Sequence, residues 1–466
     1  MKTSFRHIGA CALLAACAAA PATAQNTYSG FFLDNYDYRF EMNPAFGNER
    51  NFVSFPVLGN FNTAIRGTLH LTDLLYYRNG QTVLFTNPNV SVKEAMSNFE
   101  EKNRLGTDWK IGLMSTGFKA WGGYNTIAIN ANIGLHASLP KSFFSLAKEG
   151  ISNRNYSIED MRASALAYTE ISLGHSRDIK QVPGLRVGAN LKFLVGMAYL
   201  SADFKDAQLS LGENNWTAQT RADIYASIGG FQFTTDMTDP EPGEAPREYV
   251  SGCDLNGPGS IGPNGFGMAI DLGATYEWND FTFSLGLLDL GAISFRNTNL
   301  ATTDGLQKFE TDAFTFNANE NADNSFSNAW ENMRDDIDKL YQLKNKGNIG
   351  NHSVGLPATL NIGIDYALPV YRKLHFGLLN STRINGPYTW TQFRLSANVA
   401  PVKAFSADVN VACGTYGWGF GWMLNIHTTG FNLFAGMDHT LSKLAKPGIL
   451  PLNSNADFNF GINFPF

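Results

Sequence analysis

The last eleven residues, ADFNFGINFPF at 456–466, alternate between large apolar side chains and polar or small ones. The apolar residues occupy every second position: Phe458, Phe460, Ile462, Phe464 and Phe466. Because side chains along a β-strand point alternately to its two faces, this segment predicts a strand with one apolar and one polar face. A strand of a soluble β-sandwich shows the same alternation, so other parts of the chain must distinguish the two folds.

Similar segments recur along the chain from Phe52 onward. In 417–426, large apolar residues at even positions alternate with Gly, Met and Asn at odd positions. Alternating segments of about 10 residues, separated by turns, are typical of transmembrane β-barrels. We predict about 14–16 strands, with the weakest pattern in the first. The candidates are 52–69, 107–118, 123–139, 163–177, 184–198, 200–212, 216–232, 266–278, 280–295, 355–368, 372–384, 388–400, 404–413, 417–426, 430–440 and 456–466.

The predicted connections are sorted by length. If the first strand runs outward, long connections follow only odd-numbered strands: 70–106, 140–162, 233–265, 296–354 and 441–455. Connections after even-numbered strands are short turns. Outer-membrane barrels have long extracellular loops and short periplasmic turns, whereas a soluble sandwich has no reason to sort them. The sequence therefore predicts an all-β, antiparallel transmembrane barrel.

The N-terminus has the features of a secretory signal peptide, which we place at 1–24. Lys2 and Arg6 are basic, 8–20 is a short apolar run, and 22–24 is a site of small residues for cleavage. A lipoprotein-type cleavage that leaves Cys17 lipidated is the alternative. We favour cleavage after residue 24, because the apolar run continues past Cys17. Export through this peptide would place the chain in the outer membrane.

The composition excludes two classes of protein. The chain carries 35 basic and 41 acidic residues, a net charge of −6, which argues against a nucleic-acid partner. After residue 25 it has no run of 18 apolar residues, so no transmembrane helix is predicted. Charged residues make up only 16% and aromatic residues 13%, a balance that suits a barrel with outer-membrane lipid around it.

Residues 25–51 precede the first predicted strand and contain Asn43-Pro44-Ala45. Pro44 prevents regular strand pairing there. The segment is therefore either an irregular periplasmic lead-in or a plug folded into the barrel. We divide the chain into the signal peptide, this plug-like segment and the barrel at 52–466.

Two of the long connections show helical spacing. In the loop 296–354, apolar residues recur at intervals of three and four, as expected of an amphipathic helix: Phe326, Trp330, Met333, Ile337, Leu340 and Tyr341. Val92, Ala95, Met96 and Phe99 indicate a shorter helix. Such helices either pack over the barrel mouth or form a surface that docks a partner, and the first interpretation is favoured.

Eight charged residues lie on the predicted polar faces of the strands and are expected to face the lumen, because a charge facing lipid at mid-bilayer costs about 2–4 kcal/mol. They are Arg186, Lys192, Asp271, Glu277, Asp365, Arg394, Asp408 and Asp457, with His136 and several Asn beside them. These side chains either pair across a hydrated interior, which we favour, or form a selectivity lining.

No pattern of catalytic residues favours an enzyme. Asp438 and His439 are adjacent at a strand end, and neighbouring strand residues point to opposite faces, so we expect no dyad there. The chain has no nucleophile elbow, no metal-ligand cluster and no phosphate-binding glycine loop. We predict neither a cofactor nor a metal.

Three stretches resemble known outer-membrane proteins. Asn43-Pro44-Ala45, placed between a signal peptide and a barrel, resembles the N-terminal hatch motif of the fatty-acid transporter (FadL-type) family. The run at 265–295 and the ending at 459–466 are similar to an uncharacterised Bacteroidota family of this architecture, which is related to the shuttle barrels of type IX secretion. The FadL-type resemblance implies a 14-stranded barrel with a plug, and Asn43, Pro44 and Ala45 as binding residues of the hatch.

The terminal aromatic residue also resembles those of outer-membrane barrels, whose last strand closes the barrel and is recognised by the assembly machinery. The resemblance implies that the assembly signal comprises Phe458, Phe460, Phe464 and Phe466. We expect the chain to bind or pass hydrophobic small molecules. The alternative is a non-transporting scaffold or shuttle that docks a secretion or surface-protein partner through its loops.

Overall fold

The computed structural model describes most of the chain outside the N-terminus and parts of the long loops. The described residues are 27–48, 50–54, 58–149, 155–157, 161–205, 208–211, 215–237, 245–255, 262–305, 307–312, 343–439 and 455–466. The predicted signal peptide at 1–24 and the predicted helix at 326–341 lie outside these ranges. None of the described helices is long and apolar enough to cross a membrane.

The described strands form a closed antiparallel barrel with 14 strands in its wall. Two of them, β1 and β8, consist of two segments each. The strands are β1 (Phe52–Ser54 and Phe61–Gly67), β2 (Lys102–Ala120), β3 (Gly123–Pro140), β4 (Met161–Asp178), β5 (Leu185–Phe204), β6 (Gly265–Trp278), β7 (Phe281–Phe295), β8 (His352–Gly355 and Ala358–Ala367), β9 (Leu374–Ile384), β10 (Trp390–Val402), β11 (Phe405–Gly414), β12 (Gly417–His427), β13 (Asn432–Met437) and β14 (Ala456–Pro465).

The two ends of the chain close the barrel. β14 pairs with β13 on one side and with β1 on the other, and β1 in turn pairs with β2. The predicted strand at 52–69, the weakest in pattern, is thus part of the wall, in two segments. Because every strand then has two neighbours, the barrel leaves no unpaired sheet edge in the bilayer.

Two predicted strands are not separate strands of the wall. The predicted break near Tyr199 is wrong, because β5 runs without a turn from Leu185 to Phe204. The predicted strand 216–232 is instead split into Asn215–Thr220 and Ala222–Ile228, and both segments lie beyond the ring. The sequence pattern does not distinguish these strands, because strands paired beyond the ring have the same period of two as those within it.

The connections sort by length as predicted. Long ones follow β1, β3, β5, β7 and β13, and every other connection is short. We call the two rims of the barrel the long-loop end and the short-turn end. The third long connection begins earlier than predicted, after Phe204, because two predicted strands fall within it.

The long loops carry their own secondary structure. Val92–Met96 is helical as predicted, and Ser91 Oγ caps this helix by accepting a hydrogen bond from Glu94 N (3.1 Å). The elements are the helices α1 (Leu71–Leu74), α2 (Val92–Met96) and α3 (Lys141–Glu149), the hairpins Leu75–Arg78 with Gln81–Leu84 and Gln232–Met237 with Glu248–Asp254, the strands Ala222–Ile228, Asn299–Thr302 and Lys344–Asn348, and a sheet of Gln307–Asp312, Asn215–Thr220, Gln208–Leu211 and Asn155–Ser157.

The two faces of the wall differ as the alternation predicts. In β6 and β7, Phe266, Leu272 and Leu285 are exposed on the outside, while Asp271 and Ser284 are buried inside. Outward apolar residues meet lipid without a desolvation cost, whereas inward polar residues find partners in the lumen. The wall therefore has the surface of a transmembrane barrel.

A charge on the outer face tests this orientation. Leu285 is half exposed and lies between Ala274 of β6 and Ile362 of β8. We expect Leu285→Arg to lower the free energy of unfolding in lipid vesicles by about 2–4 kcal/mol more than Leu285→Ala does, because only the arginine brings a charge into hydrocarbon. Urea titration of the wild type and the two variants measures these free energies of unfolding. Equal losses from both variants would contradict a lipid-facing position.

Candidate functional site

Residues 27–48, which we call the internal segment, lie inside the barrel. The segment folds into short turns, including 3-10 helices at Tyr28–Gly30 and Arg39–Glu41, and pairs with no strand of the ring. Its apolar side chains form one buried cluster with inward residues of the wall. The cluster comprises Tyr28, Phe31, Phe32, Leu33, Tyr36, Tyr38, Phe40, Met42 and Phe46 with Phe52, Ala128, Leu379, Trp390, Met423 and Phe434.

Asp438 holds the start of the internal segment. Its carboxylate accepts hydrogen bonds from Tyr28 N (3.0 Å), Ser29 N (2.8 Å) and Ser29 Oγ (2.9 Å). Asn410 of β11 donates a further hydrogen bond to Ser29 Oγ (3.0 Å). Hydrogen bonds to a charged acceptor are stronger than neutral ones, so this residue is a principal anchor of the segment.

Glu41 holds the middle of the segment. Its carboxylate contacts Lys110 Nζ of β2 at 2.9 Å and accepts hydrogen bonds from Asn60 and Asn130, both at 3.2 Å. The glutamate is buried, so its charge is balanced by a lysine from the wall rather than by solvent. A buried charge pair of this kind is costly to break by removing one partner.

The predicted hatch motif lies against β5 and β6. Asn43 Oδ1 accepts a hydrogen bond from Ala45 N (2.9 Å), which closes a local turn around Pro44. Arg186 Nε donates to Ala45 O (2.8 Å). At Gly273 a Cβ atom would lie 2.0 Å from Asn43 Oδ1, so glycine is required for the motif to approach the wall. All three motif residues are buried.

Two of the predicted lumen residues belong to a buried charge cluster around Lys192. Lys192 Nζ lies 2.9 Å from Asp271, 2.6 Å from Asp289 and 3.7 Å from Glu170. Asp289 has a positive φ of 60° at the point where the pairing of β6 with β7 shifts register. This β-bulge turns the Asp289 carboxylate inward toward the lysine, next to the inward residue Leu288.

Arg394, Asp408 and Asp457 are brought together near Asp438. Arg394 Nη1 lies 3.4 Å from Asp438 Oδ1 and also donates to Asn410, which in turn donates to Asp408. Asp457 accepts a hydrogen bond from Asp438 N. These contacts connect β10, β11 and β14 to the residue that holds the internal segment.

Three predicted lumen residues remain: Asp365, His136 and Glu277. Asp365 contacts His375 Nδ1 at 2.7 Å, toward the short-turn end, and His136 Nε2 lies 3.4 Å from Asp108. Glu277 is exposed at the short-turn rim rather than inside the lumen. Glu277 lies on the polar face of its strand as predicted, but its position at the rim gives the carboxylate access to solvent.

The prediction that strand alternation separates the side chains of Asp438 and His439 is wrong. β13 ends at Met437, so strand alternation no longer applies, and both side chains are buried. They still have separate partners: His439 contacts Asp457 (3.3 Å) and Gln392 (3.0 Å), while Asp438 contacts Ser29. Among the described residues, no group of three His, Cys, Asp or Glu side chains could hold a metal ion.

The terminal aromatic residues lie on the outer side of the last strand. Phe458 and Phe466 are exposed, and Phe460 and Phe464 are partly exposed. Asp457, Asn459 and Asn463 alternate with them and are buried on the lumen side.

Sequence reasoning missed much of the lining. Glu41, Lys110, Glu170 and Asp438 were not predicted as lumen residues, although the last three alternate correctly in or beside predicted strands. No sequence pattern indicates that Glu41 lies in the lumen, because only folding of the internal segment brings it to Lys110. No pattern indicates this for Asp289 either, because a bulge reverses the alternation locally.

These observations define the class of the protein: a transmembrane β-barrel whose lumen contains a folded N-terminal segment. The chain belongs to the family described as "Family of unknown function (DUF5723)", which matches residues 44–438. The prediction of an uncharacterised family is thus confirmed, whereas its Bacteroidota origin and its relation to type IX secretion stay predictions. No curated protein matches the chain.

Solved structures of other barrels align over nearly the whole chain. The toluene transporter TbuX of Ralstonia pickettii is 9% identical, with 96% of this chain and 95% of that one covered and a TM-score of 0.40. The toluene transporter TodX of P. putida has 9% identity, 96% and 94% coverage, and a TM-score of 0.36. The translocator domain of NalP from Neisseria meningitidis has 8% identity, 90% coverage of both chains, and a TM-score of 0.30. With TM-scores this low, the fold rests on this chain's own strand pairing.

Asp37 is a titratable group that attaches the internal segment near the short-turn end. Its carboxylate accepts a hydrogen bond from Asn432 Nδ2 of β13 (2.7 Å). Burial raises the pKa of Asp37 to about 6, although hydrogen bonds from Asn432 and Asn463 act in the opposite direction. The folded protein therefore binds the Asp37 proton more tightly than the unfolded chain does.

This raised pKa predicts a pH dependence. The contribution of Asp37 to stability is greatest below its ordinary pKa of 3.8 and is lost as the pH rises through about 6. We expect the internal segment to be digested faster by added protease at pH 7.5 than at pH 5. Asp37→Asn should flatten this difference, because it keeps the side-chain shape without the titration. An unchanged pH profile in the variant would contradict the assignment.

Proposed function

We propose that this protein binds or passes small molecules with apolar bodies across the outer membrane, with the internal segment as the gate. In this proposal the long-loop end faces outside and the short-turn end faces the periplasm. Molecules would enter between the loops and meet the internal segment within the lumen.

The main support is the contrast between the internal segment and the wall. The inward residues of the wall are largely Asn, Ser, Asp, Arg and Lys, whereas the segment contributes nine of the apolar residues of the buried cluster. Polar solutes would have to leave the hydrated wall and cross this cluster, which costs them their hydration. Apolar molecules lose nothing there, so the cluster would favour them.

The way the segment is attached also supports a gate. It pairs with no strand of the ring, and its backbone is held by side chains such as Asp438, Arg186, Asn361 and Asn425. Asn361 donates to Met42 O (2.9 Å) and Asn425 to Asn35 O (2.7 Å). Individual side-chain hydrogen bonds contribute about 1 kcal/mol each, so part of the segment could be released without breaking the ring.

Removing the segment tests the gate. We expect the full chain to be electrically silent in planar bilayers, because the internal segment blocks the water path. Deletion of 27–48 should give a stable, large conductance, because the polar wall would then enclose water. Leu285→Ala, which changes only the outer face, is the control and should stay silent. A large conductance from the full chain would instead indicate an open aqueous pore.

Uptake of a probe tests the substrate class. We expect intact Gram-negative cells that carry the full chain to take up an apolar aromatic probe, such as toluene, faster than cells without it. The double variant Phe31→Ala/Phe32→Ala should change this rate, because the two rings pack edge to face at 4.9 Å inside the cluster. Equal uptake with and without the protein would count against hydrophobic transport.

A second function, docking of a surface-protein partner, is favoured by the loop cap. The cap is a separate apolar cluster of the first two long loops, comprising Leu69, Tyr76, Phe85, Val90, Ala95, Phe99 and Phe144. Phe99 and Phe144 stack at 4.1 Å. Tyr77 and Leu84, on the hairpin of this cap, are 70% and 57% exposed. An ordered loop with exposed apolar residues is suited to binding another protein.

Tyr77→Ser/Leu84→Ser tests the docking function. We expect the variant to lose partners that co-purify with the wild type, because it removes the exposed apolar surface without touching the buried cluster. Val370→Ser is the matched control, because Val370 is an exposed apolar residue at the short-turn end. Identical partner sets for all three proteins would remove docking through this hairpin.

A further inference from the structure

A narrow polar cavity lies in the lumen toward the long-loop end. It is lined by Arg66, Arg104, Leu105, Gly106, Asp108, His136, Arg383, Asn385, Tyr388, Trp390 and Tyr416. Its volume of about 10 Å³ has room for about one water molecule. The three arginines come from β1, β2 and β9. In a ring of 14 strands, β2 and β9 lie opposite each other, so Arg104 and Arg383 approach one cavity from opposite walls.

Three arginines and one carboxylate, Asp108, line this cavity. Arg66 lies 3.7 Å from Asp438 and 3.6 Å from Asp457, so carboxylates compensate it. Asp108 is 3.4 Å from His136 and also interacts electrostatically with Arg383. Within the described part of the chain, Arg104 and Arg383 form no side-chain ion pair, and the Nε atom of each is buried without a hydrogen-bond partner.

Asp108 supplies one negative charge against these two guanidinium groups, so part of their repulsion remains, and a buried N–H without an acceptor costs free energy. An anion between them would relieve both costs. Each guanidinium presents a planar set of donors that matches the oxygens of a phosphate or carboxylate. The surrounding Tyr388, Trp390 and Tyr416 shield the site from solvent.

We propose that this cavity binds a tetrahedral oxyanion group, such as a phosphate, between Arg104 and Arg383. A tetrahedral group is favoured over a carboxylate, because its oxygens can accept hydrogen bonds from both guanidinium groups at once. The long arginine side chains would move apart to admit the group. Because the arginines point into the lumen rather than to lipid, the source is a solute carrying the group rather than a lipid headgroup.

This site goes beyond the proposed transport of apolar molecules. Binding of an oxyanion is measured on purified protein without any transport, so its failure would leave the gate and uptake experiments unaffected. Conversely, an electrically open or inactive barrel could still bind the anion.

Titration calorimetry of the full protein in nanodiscs of uncharged phospholipid tests the site, with inorganic phosphate as the probe. We expect saturable binding, competition by sulfate, and little competition by acetate or chloride at equal ionic strength. Arg104→Gln and Arg383→Gln should each weaken binding by about tenfold or more, because each removes donors to a charged group. Arg372→Gln, an exposed arginine at the short-turn end, is the matched control and should bind as the wild type does.

Several results would overturn the proposal. They are absence of saturable phosphate binding, wild-type affinity in both glutamine variants, or acetate competing as well as sulfate. Nanodiscs with anionic phospholipid distinguish the source: loss of phosphate binding there would indicate a lipid occupant and contradict a solute. Far-UV circular dichroism confirms the barrel in each variant. Should a glutamine variant misfold, Arg104→Lys and Arg383→Lys keep the charge, and they should bind phosphate more weakly than the wild type because they lose the planar donor set.

Discussion

The structure depends on the need to satisfy polar groups where no water is available. In a bilayer the wall cannot leave backbone N–H and C=O groups unpaired, so its strands close into a ring. The same need acts inside the ring, where buried carboxylates and amides require partners. Asp438 and Glu41 show the outcome: one accepts backbone and hydroxyl groups of the internal segment, and the other pairs with Lys110 of the wall.

The lumen thereby acquires two different kinds of interior. At the internal segment, aromatic side chains pack together as in the core of a soluble protein. Around Lys192 and Arg66, charges are paired across strands. In the proposed function the first region favours apolar molecules, and in the proposed anion site the second region binds a charged group. A molecule with both an apolar body and an anionic group would find a counterpart for each part in one lumen.

The loops add a third region. The cluster that includes Phe99 and Phe144 folds beside the barrel mouth, and α2 has its own cap at Ser91. Transport and docking of a partner place different demands on these loops: transport needs a path between them, and docking needs an exposed surface such as Tyr77 and Leu84. The proposed gate and the loop cap are built from separate residues, so each proposed function can be tested without altering the other.

The sequence by itself determined the fold class, because alternation with a period of two and the sorting of loop lengths are local properties that lipid and water impose on each strand. The apolar face of 456–466 is one example. Only the tertiary structure decided that the wall has 14 strands, since 200–212 and 216–232 alternate as wall strands do but add no separate strand to the ring. It also decided the interior. Asp289 turns inward through a bulge, and Glu41 contacts Lys110 from an irregular segment. Arg104 and Arg383 line one cavity from opposite sides of the ring. Such contacts join residues far apart in the chain, and no local pattern encodes them.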